Sequence, residues 1–291
     1  MKPSVIATLA TKSALQDLQL LLGSLELWNT PAPKVYLACD TETVTALKNV
    51  KYSGELITVN CLDQYTPYTR TDMEGMPGQK FKTLWFDFMC EKISLLKHAF
   101  SLSPEPILFC DADICFFGPL PEIPGEATLA LSPHMIRIAD EERYGQFNGG
   151  FFWVKDPTHL ETWLEACKTS TFYEQKAMEA MCPETVETPG TYFFPKQVNY
   201  GWWRLFQGSV PAEKLSTEWG INRMKGAATS GIMVLGEPLV CVHTHFAESY
   251  YNPTIKFNTF VVQHLRKLVS HKPAKAMLDL LNRLFPSMRQ N

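Results

Sequence analysis

The 291-residue sequence predicts an α/β fold in which a Rossmann-like sheet is flanked by helices. In the first half, short apolar runs alternate with longer segments whose apolar residues recur at helical spacing, which is typical of strand–helix–strand units. The run at 107–110 is apolar on both faces, as in a strand covered by helices on both sides. A content of 45% hydrophobic and 20% charged residues suits a globular chain with a large core.

The first half alternates between predicted strands and helices. We predict strands at 4–10, 35–39, 56–59 and 107–110, and helices at 13–28, 43–47 and 83–100. Ser13 is the predicted N-cap of the first helix. Prolines, glycines and mixed charge predict a loop at 62–80. No Gly-x-Gly-x-x-Gly motif follows the first strand, which argues against a dinucleotide-binding oxidoreductase.

The second half is less regular. We predict strands at 129–131, 151–154, 233–235 and 239–243, helices at 159–168 and 174–181, and a helical C-terminus at 258–287 that is interrupted at Pro273.

The apolar run at 107–110 leads into Asp111-Ala112-Asp113. In an extended chain, alternate side chains lie on one side, which would place the two Cα atoms roughly 6.5 Å apart. Two neighbouring carboxylates repel each other unless a cation holds them. Ligands of open α/β sheets bind beyond the carboxyl ends of the strands. We therefore predict a divalent metal that holds a phosphate-bearing substrate; the alternative is ordinary turn chemistry after a strand.

Charge and cysteine usage exclude some functions. A net charge of −3 gives no reason to expect a nucleic-acid partner. The eight cysteines form no Cys-x-x-Cys motif, and four lie in apolar runs, so we predict reduced thiols in a cytoplasmic protein. No signal peptide or membrane-spanning run is predicted.

Residues 251–291 carry seven lysines and arginines against one aspartate, a net charge of +6 (seven minus one). The basic, amphipathic stretch at 274–285 could make a peripheral contact with an anionic membrane surface. The alternative is a helix that packs on the sheet with solvated lysines.

Four segments, in this order, resemble the GT-A fold of nucleotide-sugar glycosyltransferases, and glycosyltransferase family 8 and its relatives in particular. They are Lys92 on a helix, Asp111-Ala112-Asp113, Phe147-Asn148-Gly149-Gly150-Phe151-Phe152, and His245-Phe246 at the end of a late strand. The likeness spans roughly residues 4–250. It implies a single GT-A domain at 1–250, built on a mixed sheet, with a nucleotide-binding half at 1–118 and an acceptor half at 119–250. A helical basic extension follows at 251–291.

The resemblance implies that Asp111, Asp113 and His245 bind Mn²⁺, or alternatively Mg²⁺, which holds the diphosphate of the donor. A metal stabilises the negative charge that develops on a diphosphate leaving group. Carboxylate, imidazole and phosphate ligands suit Mn²⁺ better than Ca²⁺. His243 competes for the third position, because it lies on the same side of the strand, two residues earlier. The pattern of histidine followed by an aromatic residue favours His245.

Further donor contacts follow from the resemblance. Lys92 would contact donor phosphates or be a solvated helix lysine, with Lys80 and Lys82 as basic alternatives. Asn148-Gly149-Gly150 would lie beneath the donor sugar, with glycines supplying backbone freedom. Residues after the first two strands would contact the nucleotide or simply cap loops. The predicted donor-binding residues are Thr8, Thr11, Asp40, Lys92, Asp111, Ala112, Asp113, Asn148, Gly149 and Gly150.

The predicted catalytic residues are Glu174 and Gln175, the nearest match to an Asp-Gln pair that the family places near the anomeric carbon. The alternative is two surface helix residues. Trp202 and Trp203 are predicted acceptor-binding residues because aromatic faces stack on sugar rings; core packing is the alternative. Residues 134–147 could form a lid or a solvated loop. The family's Gly-x-x-Lys-Pro-Trp motif is missing after His245.

These observations predict a metal-dependent glycosyltransferase that moves a hexosyl or pentosyl group from a nucleotide-diphosphate donor, a UDP-sugar, to a glycan or other hydroxyl acceptor. The resemblance favours retention of configuration. An inverting enzyme would need a general base, and the candidates are Glu174, Glu187, Asp140 and Glu248. The alternatives are a non-catalytic nucleotide- or glycan-binding protein of the same fold, and a phosphatase of the haloacid dehalogenase type, in which the first aspartate is a nucleophile.

Overall fold

The computed structural model of the chain describes residues 1–182, 190–205, 207–208, 215–223, 228–247 and 251–286. Two of the candidate general bases, Glu187 and Glu248, lie outside these ranges. The central feature is a seven-stranded sheet in the order β3-β2-β1-β4-β7-β6-β8. Two three-stranded sheets, β5-β13-β9 and β10-β11-β12, complete the strand pairing in the described part of the chain.

The elements of the first half agree with the predicted pattern. They are β1 Val5–Ala10, α1 Leu15–Trp28, β2 Lys34–Cys39, α2 Thr41–Leu47, β3 Leu56–Asn60, α3 Arg70–Gly75, α4 Leu84–Leu102, β4 Ile107–Cys110 and β5 Ile114–Phe116. The strands β3, β2, β1 and β4 are parallel, as their alternation with helices predicts.

Two local predictions in the first half were wrong. The predicted loop at 62–80 contains α3, because Thr69 and Asp72 form a reciprocal capping box at its start. Ser13 is not an N-cap, since it lies inside a 3-10 turn, Lys12–Ala14, that precedes α1. Both errors concern short segments, which periodicity does not resolve.

The second half extends the sheet with three strands, one of which runs opposite to all the others. Its elements are β6 Leu129–Pro133, α5 Ile138–Tyr144, β7 Phe147–Val154, α6 Thr158–Cys167, α7 Tyr173–Ala177, β8 Thr191–Phe193, β9 Tyr200–Gly201, α8 Leu215–Glu218, β10 Trp219–Ile221, β11 Ile232–Val234, β12 Glu237–Pro238, β13 Cys241–His243, α9 Asn252–Arg266 and α10 Lys272–Leu284. β7 is antiparallel to both β4 and β6, and β8 is parallel to β6. The carboxyl ends of β1, β4 and β6 therefore meet the start of β7 at one edge of the sheet.

Both faces of the sheet are buried, as the apolar run at 107–110 predicts. Along β1, Val5, Ala7 and Leu9 face the core on the side of α4 and α6. Ile6 and Ala10 face the opposite core, which α1 covers. The predicted class, a mixed sheet flanked by helices, is confirmed.

The basic C-terminus forms two helices, and the second packs against α1. The apolar side of α10, including Ala274, Met277 and Leu281, is buried in the core formed with α9. A Cβ atom on Gly23 of α1 would come within 3.1 Å of Leu280, so the glycine allows close packing of the two helices. The apolar face is thus used within the protein, as the packed-helix alternative predicts, and the membrane contact has no support. Among the helices of the described ranges, none combines the length and the apolar composition needed to cross a bilayer.

Candidate metal centre

The Asp111-Ala112-Asp113 segment is a turn that links β4 to β5. Asp111 N donates to the carbonyl of Gly150 (2.9 Å), and Ile114 N donates to the carbonyl of Asp111 (3.1 Å). The chain therefore stops being extended at Asp111, so strand periodicity is not what brings the two carboxylates together. Ala112 is buried among apolar residues of the α1 side. The turn holds both aspartates at the carboxyl edge of the sheet, where the sequence predicts a metal.

His243 completes a cluster with the two aspartates. One ligand atom from each of Asp111, Asp113 and His243 lies within 4.8 Å of the others. Nε2 of His243 is 3.3 Å from Asp113 Oδ1 and 3.7 Å from Asp111 Oδ2. This position follows from the antiparallel pairing of β13 with β5, which sets His243 opposite Ile114.

His245, the predicted third ligand, also lies at the site. Its Nε2 is 3.3 Å from Asp113 Oδ2, and its Nδ1 is 3.7 Å from Asp17 Oδ2. His245 is 48% exposed, whereas the side chain of His243 is buried. His243 thus faces both aspartates and His245 bridges Asp113 and Asp17; the assignment of His245 as ligand stays a prediction.

The histidines stabilise the charged form of Asp113. Burial alone would raise the pKa of Asp113, but the two nearby imidazoles, His243 before His245, lower it below its usual value. Burial raises the pKa of Asp17, which His245 partly opposes. Asp113 is therefore an ionised carboxylate in a largely buried position, which favours binding of a cation.

Gly150 gives this cluster the space that it needs. It lies in β7, and a Cβ atom at this position would overlap Asp111 Oδ2 and the ring of His243. Gly149 and Gly150 adopt extended backbone within the strand, so the reason for glycine here is close approach rather than the predicted backbone freedom. Gly150 lies against Asp111, and Gly149 lies against Glu174 and Gln175; their contact with a donor sugar stays a prediction.

Lys92 and Glu174 form an ion pair beneath the cluster. Lys92 is 0% exposed, and its Nζ lies 2.7 Å from Glu174 Oε1, 3.0 Å from the Gly149 carbonyl and 3.8 Å from Asp111 Oδ1. Burial would lower the pKa of Lys92, but the carboxylates of Asp111 and Glu174 raise it, so the amine stays charged. The alternatives of a solvated lysine and of a surface glutamate were both wrong. The contact of Lys92 with donor phosphates stays a prediction.

Gln175 joins two segments of the site. Its Oε1 accepts a hydrogen bond from Gly149 N (3.1 Å), and its Nε2 donates to the Tyr144 carbonyl (2.8 Å). The Glu174-Gln175 pair is therefore brought to Asn148-Gly149-Gly150, as the resemblance implies. Its catalytic role stays a prediction.

The predicted nucleotide contacts lie at the ends of β1 and β2. Asp40 is the N-cap of α2: its carboxylate accepts hydrogen bonds from Thr43 N (2.6 Å), Lys12 N (2.7 Å) and Thr66 Oγ1 (3.2 Å). Thr11 Oγ1 is 2.8 Å from Ser13 Oγ. Thr8 Oγ1 is buried and has no hydrogen-bond partner in the described ranges. Asp40 thus has a structural role, and its contact with a donor stays a prediction.

The two predicted acceptor tryptophans differ in environment. Trp203 is buried, with its ring centroid 5.1 Å from that of His243 and 5.6 Å from that of His134. Trp202 is half-buried and packs edge-on against Tyr251, at 5.2 Å between ring centroids. Trp203 therefore lies beside the metal cluster as part of the core, and both acceptor assignments stay predictions.

A cavity of about 430 Å³ lies at the carboxyl ends of β6 and β8. Its lining residues are Pro133, Met135, Ile136, Glu141, Gln146, Phe147 and Phe193. The predicted lid, 134–147, supplies most of this lining and contains α5. Ile138 on α5 is 75% exposed, an unusual position for a large apolar side chain.

Two residues of the site were missed in the sequence. Asp17, on α1, accepts a hydrogen bond from Phe246 N (3.2 Å) and lies against His245. An acid within a leucine-rich segment was a signal that could have identified it. Asn199 contacts Asn148 (3.1 Å), and no pattern in the irregular segment before β9 indicates this.

Comparison with solved structures identifies the fold. The chain matches an active-site glutamine-to-glutamate mutant of LgtC, with a TM-score of 0.52 and 10% identity, over 89% of this chain and 95% of that one. The chain has a GT-A type fold. The neighbours are glycosyltransferases, and this chain has an Asp-Asp-His group that could hold a metal.

Two other glycosyltransferases match with lower scores. Mouse xyloside xylosyltransferase 1 matches at a TM-score of 0.46 and 13% identity, over 70% of this chain and 90% of that one. GlyE of Streptococcus pneumoniae TIGR4 matches at a TM-score of 0.42 and 14% identity, over 69% of this chain and 47% of that one. No protein-family model matches the sequence, and no curated protein matches it significantly.

Proposed function

We propose that this protein is a metal-dependent glycosyltransferase that moves a sugar from a nucleotide-diphosphate donor, a UDP-sugar, to a glycan or another hydroxyl acceptor. The observation that carries the proposal is the convergence of Asp111, Asp113 and His243 within 4.8 Å at the carboxyl edge of a GT-A type sheet. This edge is where open α/β sheets bind their ligands.

The donor set fits a divalent cation. Two carboxylates and an imidazole suit Mn²⁺ or Mg²⁺, and Gly150 has no side chain that would fill the space between them. Asp111 and Asp113 would hold the ion, with His243 or His245 as the third ligand. When bound, such an ion stabilises the charge on a departing diphosphate as a Lewis acid. The ammonium group of Lys92, 3.8 Å from Asp111 Oδ1, would help to orient this carboxylate.

The donor would lie across the ends of β1, β2 and β7. Its nucleotide would approach Thr8, Thr11 and Asp40, and its sugar would lie over Gly149 and Gly150. Support for this orientation comes from the order of the strands, which places the metal cluster between the two regions.

The acceptor would enter from the other side, through the cavity lined by Phe147 and Glu141.

We favour transfer with retention, since Glu174 and Gln175 lie against Gly149 and LgtC has an active-site glutamine. Asp140 is disfavoured as the general base of an inverting reaction, because its Oδ2 lies 2.7 Å from Nε of Arg137 and the two form an ion pair. The compartment we propose is a reducing one such as the cytoplasm, since seven of the eight cysteines are buried in the manner of small apolar residues.

The test is a thermal-shift panel of nucleotide sugars with and without Mn²⁺, followed by transfer and hydrolysis assays on the donors that bind. We expect a UDP-sugar to raise the melting temperature only with metal, and Asp113→Ala to abolish the shift. If neither Mn²⁺ nor Mg²⁺ supports donor binding, the proposal is wrong. Tight metal-dependent binding of a nucleotide sugar without turnover would indicate the non-catalytic alternative. Metal-dependent cleavage of phosphomonoesters would indicate the phosphatase.

A further inference from the structure

A network of four buried polar side chains lies behind the Asp111, Asp113 and His243 cluster. Oδ1 of Asn148 accepts hydrogen bonds from Gly150 N (3.2 Å) and Asn199 Nδ2 (3.1 Å), and it lies 3.2 Å from Nδ1 of His243. Asn199 Nδ2 also donates to Ser132 Oγ (3.1 Å). Asn148, Asn199 and His243 are each at least nine-tenths buried, so little water competes for these bonds.

The orientation of the Asn148 amide is set by a backbone donor. The N–H of Gly150 can only donate, so the atom of Asn148 that faces it must be the oxygen. The same oxygen faces Nδ1 of His243, and a hydrogen bond between them requires a proton on Nδ1. A neutral imidazole protonated at Nδ1 has its lone pair at Nε2. Nε2 is the atom that lies 3.3 Å from Asp113 and 3.7 Å from Asp111.

We propose that Asn148, held in place by Asn199, is a positioning residue for His243: its amide oxygen fixes the Nδ1–H tautomer, so that Nε2 is free to bind the metal. This inference rests on the metal-dependent function proposed above. It selects His243 over His245 as the third ligand, and it gives Asn148 a role other than contact with the donor sugar. Partners of this kind orient metal-bound histidines in many sites, and their loss weakens metal binding about 10- to 100-fold.

The test measures Mn²⁺ binding to the full chain by calorimetry, without donor. Asn148→Leu removes the acceptor and should weaken Mn²⁺ binding about 10- to 100-fold. Asn148→Asp keeps an acceptor for Nδ1–H and should bind Mn²⁺ at least as tightly as the unaltered chain. Asn29→Ala is the matched control, because Asn29 is also buried and its side chain is hydrogen-bonded to Leu25 and Leu120 rather than to a residue of the cluster. It should leave the affinity unchanged.

Two outcomes separate this inference from the proposed function. If the unaltered chain binds neither Mn²⁺ nor Mg²⁺, the proposed function fails and the inference with it. If the chain binds Mn²⁺ and Asn148→Leu binds equally well, only the inference fails.

A second measurement needs no substitution that could disturb folding. Nitrogen–proton NMR correlations of the His243 ring in the Mg²⁺-loaded protein should show a proton on Nδ1 and none on Nε2. A proton on Nε2 would overturn the inference, because that nitrogen could not then bind the metal.

Discussion

The ammonium group of Lys92 lies 2.7 Å from the carboxylate of Glu174, and both side chains are almost completely buried. The pair joins α4 to α7, and through the Gly149 carbonyl it also holds β7. Because Lys92 lies 3.8 Å from Asp111, its charge also offsets part of the repulsion between the two aspartates. The metal cluster therefore has an internal counter-charge that does not depend on a bound ion.

Lys92→Met should destabilise the protein by about 3–5 kcal/mol, because it leaves Glu174 buried without its partner. The double substitution Lys92→Met with Glu174→Leu should recover most of this loss, since the buried charge of Glu174 is then removed together with that of its partner. Unfolding in urea measures both. Lys97→Met is the control: Lys97 pairs with Glu161 at the surface, so it should cost less than about 1 kcal/mol. Equal losses for Lys92→Met and Lys97→Met would contradict the prediction.

His243→Ala should weaken Mn²⁺ binding by at least about 100-fold, more than His245→Ala, because His243 faces both aspartates while His245 faces Asp113 and Asp17. Calorimetric titration of the two variants measures the difference. His98→Ala, at an exposed position of α4, should have no effect. A larger loss of Mn²⁺ affinity in His245→Ala than in His243→Ala would contradict the prediction and support His245, the ligand that the sequence favours.

Gly150→Ala should abolish measurable Mn²⁺ binding, because its Cβ atom would push Asp111 and His243 apart. Gly75→Ala is a matched control, since no atom lies within 4 Å of a Cβ atom there and alanine suits the helix. Calorimetry should show normal metal binding for Gly75→Ala, with stability equal or up to about 1 kcal/mol higher. Normal Mn²⁺ affinity in Gly150→Ala would mean that the cluster is not the metal site.

His134 should make the protein sensitive to acid. Burial lowers the pKa of His134 from 6.5 to about 4, so the ring is neutral in the folded protein. As the pH falls from 6.5 towards 4, the unfolded chain takes up a proton that the folded chain does not, and stability falls by up to about 3 kcal/mol. His134→Gln should therefore lose less stability than the unaltered chain between these pH values. Urea unfolding of both proteins near pH 7 and near pH 4.5 measures the loss of stability on acidification. An equal loss in His134→Gln and in the unaltered chain would contradict the prediction.

Most of the fold could be predicted from local patterns. Strands β1, β2 and β4 and helices α1 and α4 have long, regular apolar spacing, which the backbone period imposes whatever the tertiary structure. The direction of β7 was not predictable. Its apolar run looks like that of a parallel strand, but its pairing with β4 depends on how the chain returns through β6. Short elements such as α3 depend on caps and were missed for that reason.

For the site, the sequence by itself determined the class of chemistry and its place: Asp111 and Asp113 follow a buried strand, and a histidine ends another. The tertiary structure decided which partners meet. His243 and His245 share one side of a strand, so periodicity treats them alike; the pairing of β13 with β5 sets His243 against both aspartates. Lys92 and Glu174, 82 residues apart, look like surface residues locally, and only long-range packing buries them together. Periodicity comes from backbone geometry within a few residues, whereas ion pairs and ligand sets come from contacts between distant segments.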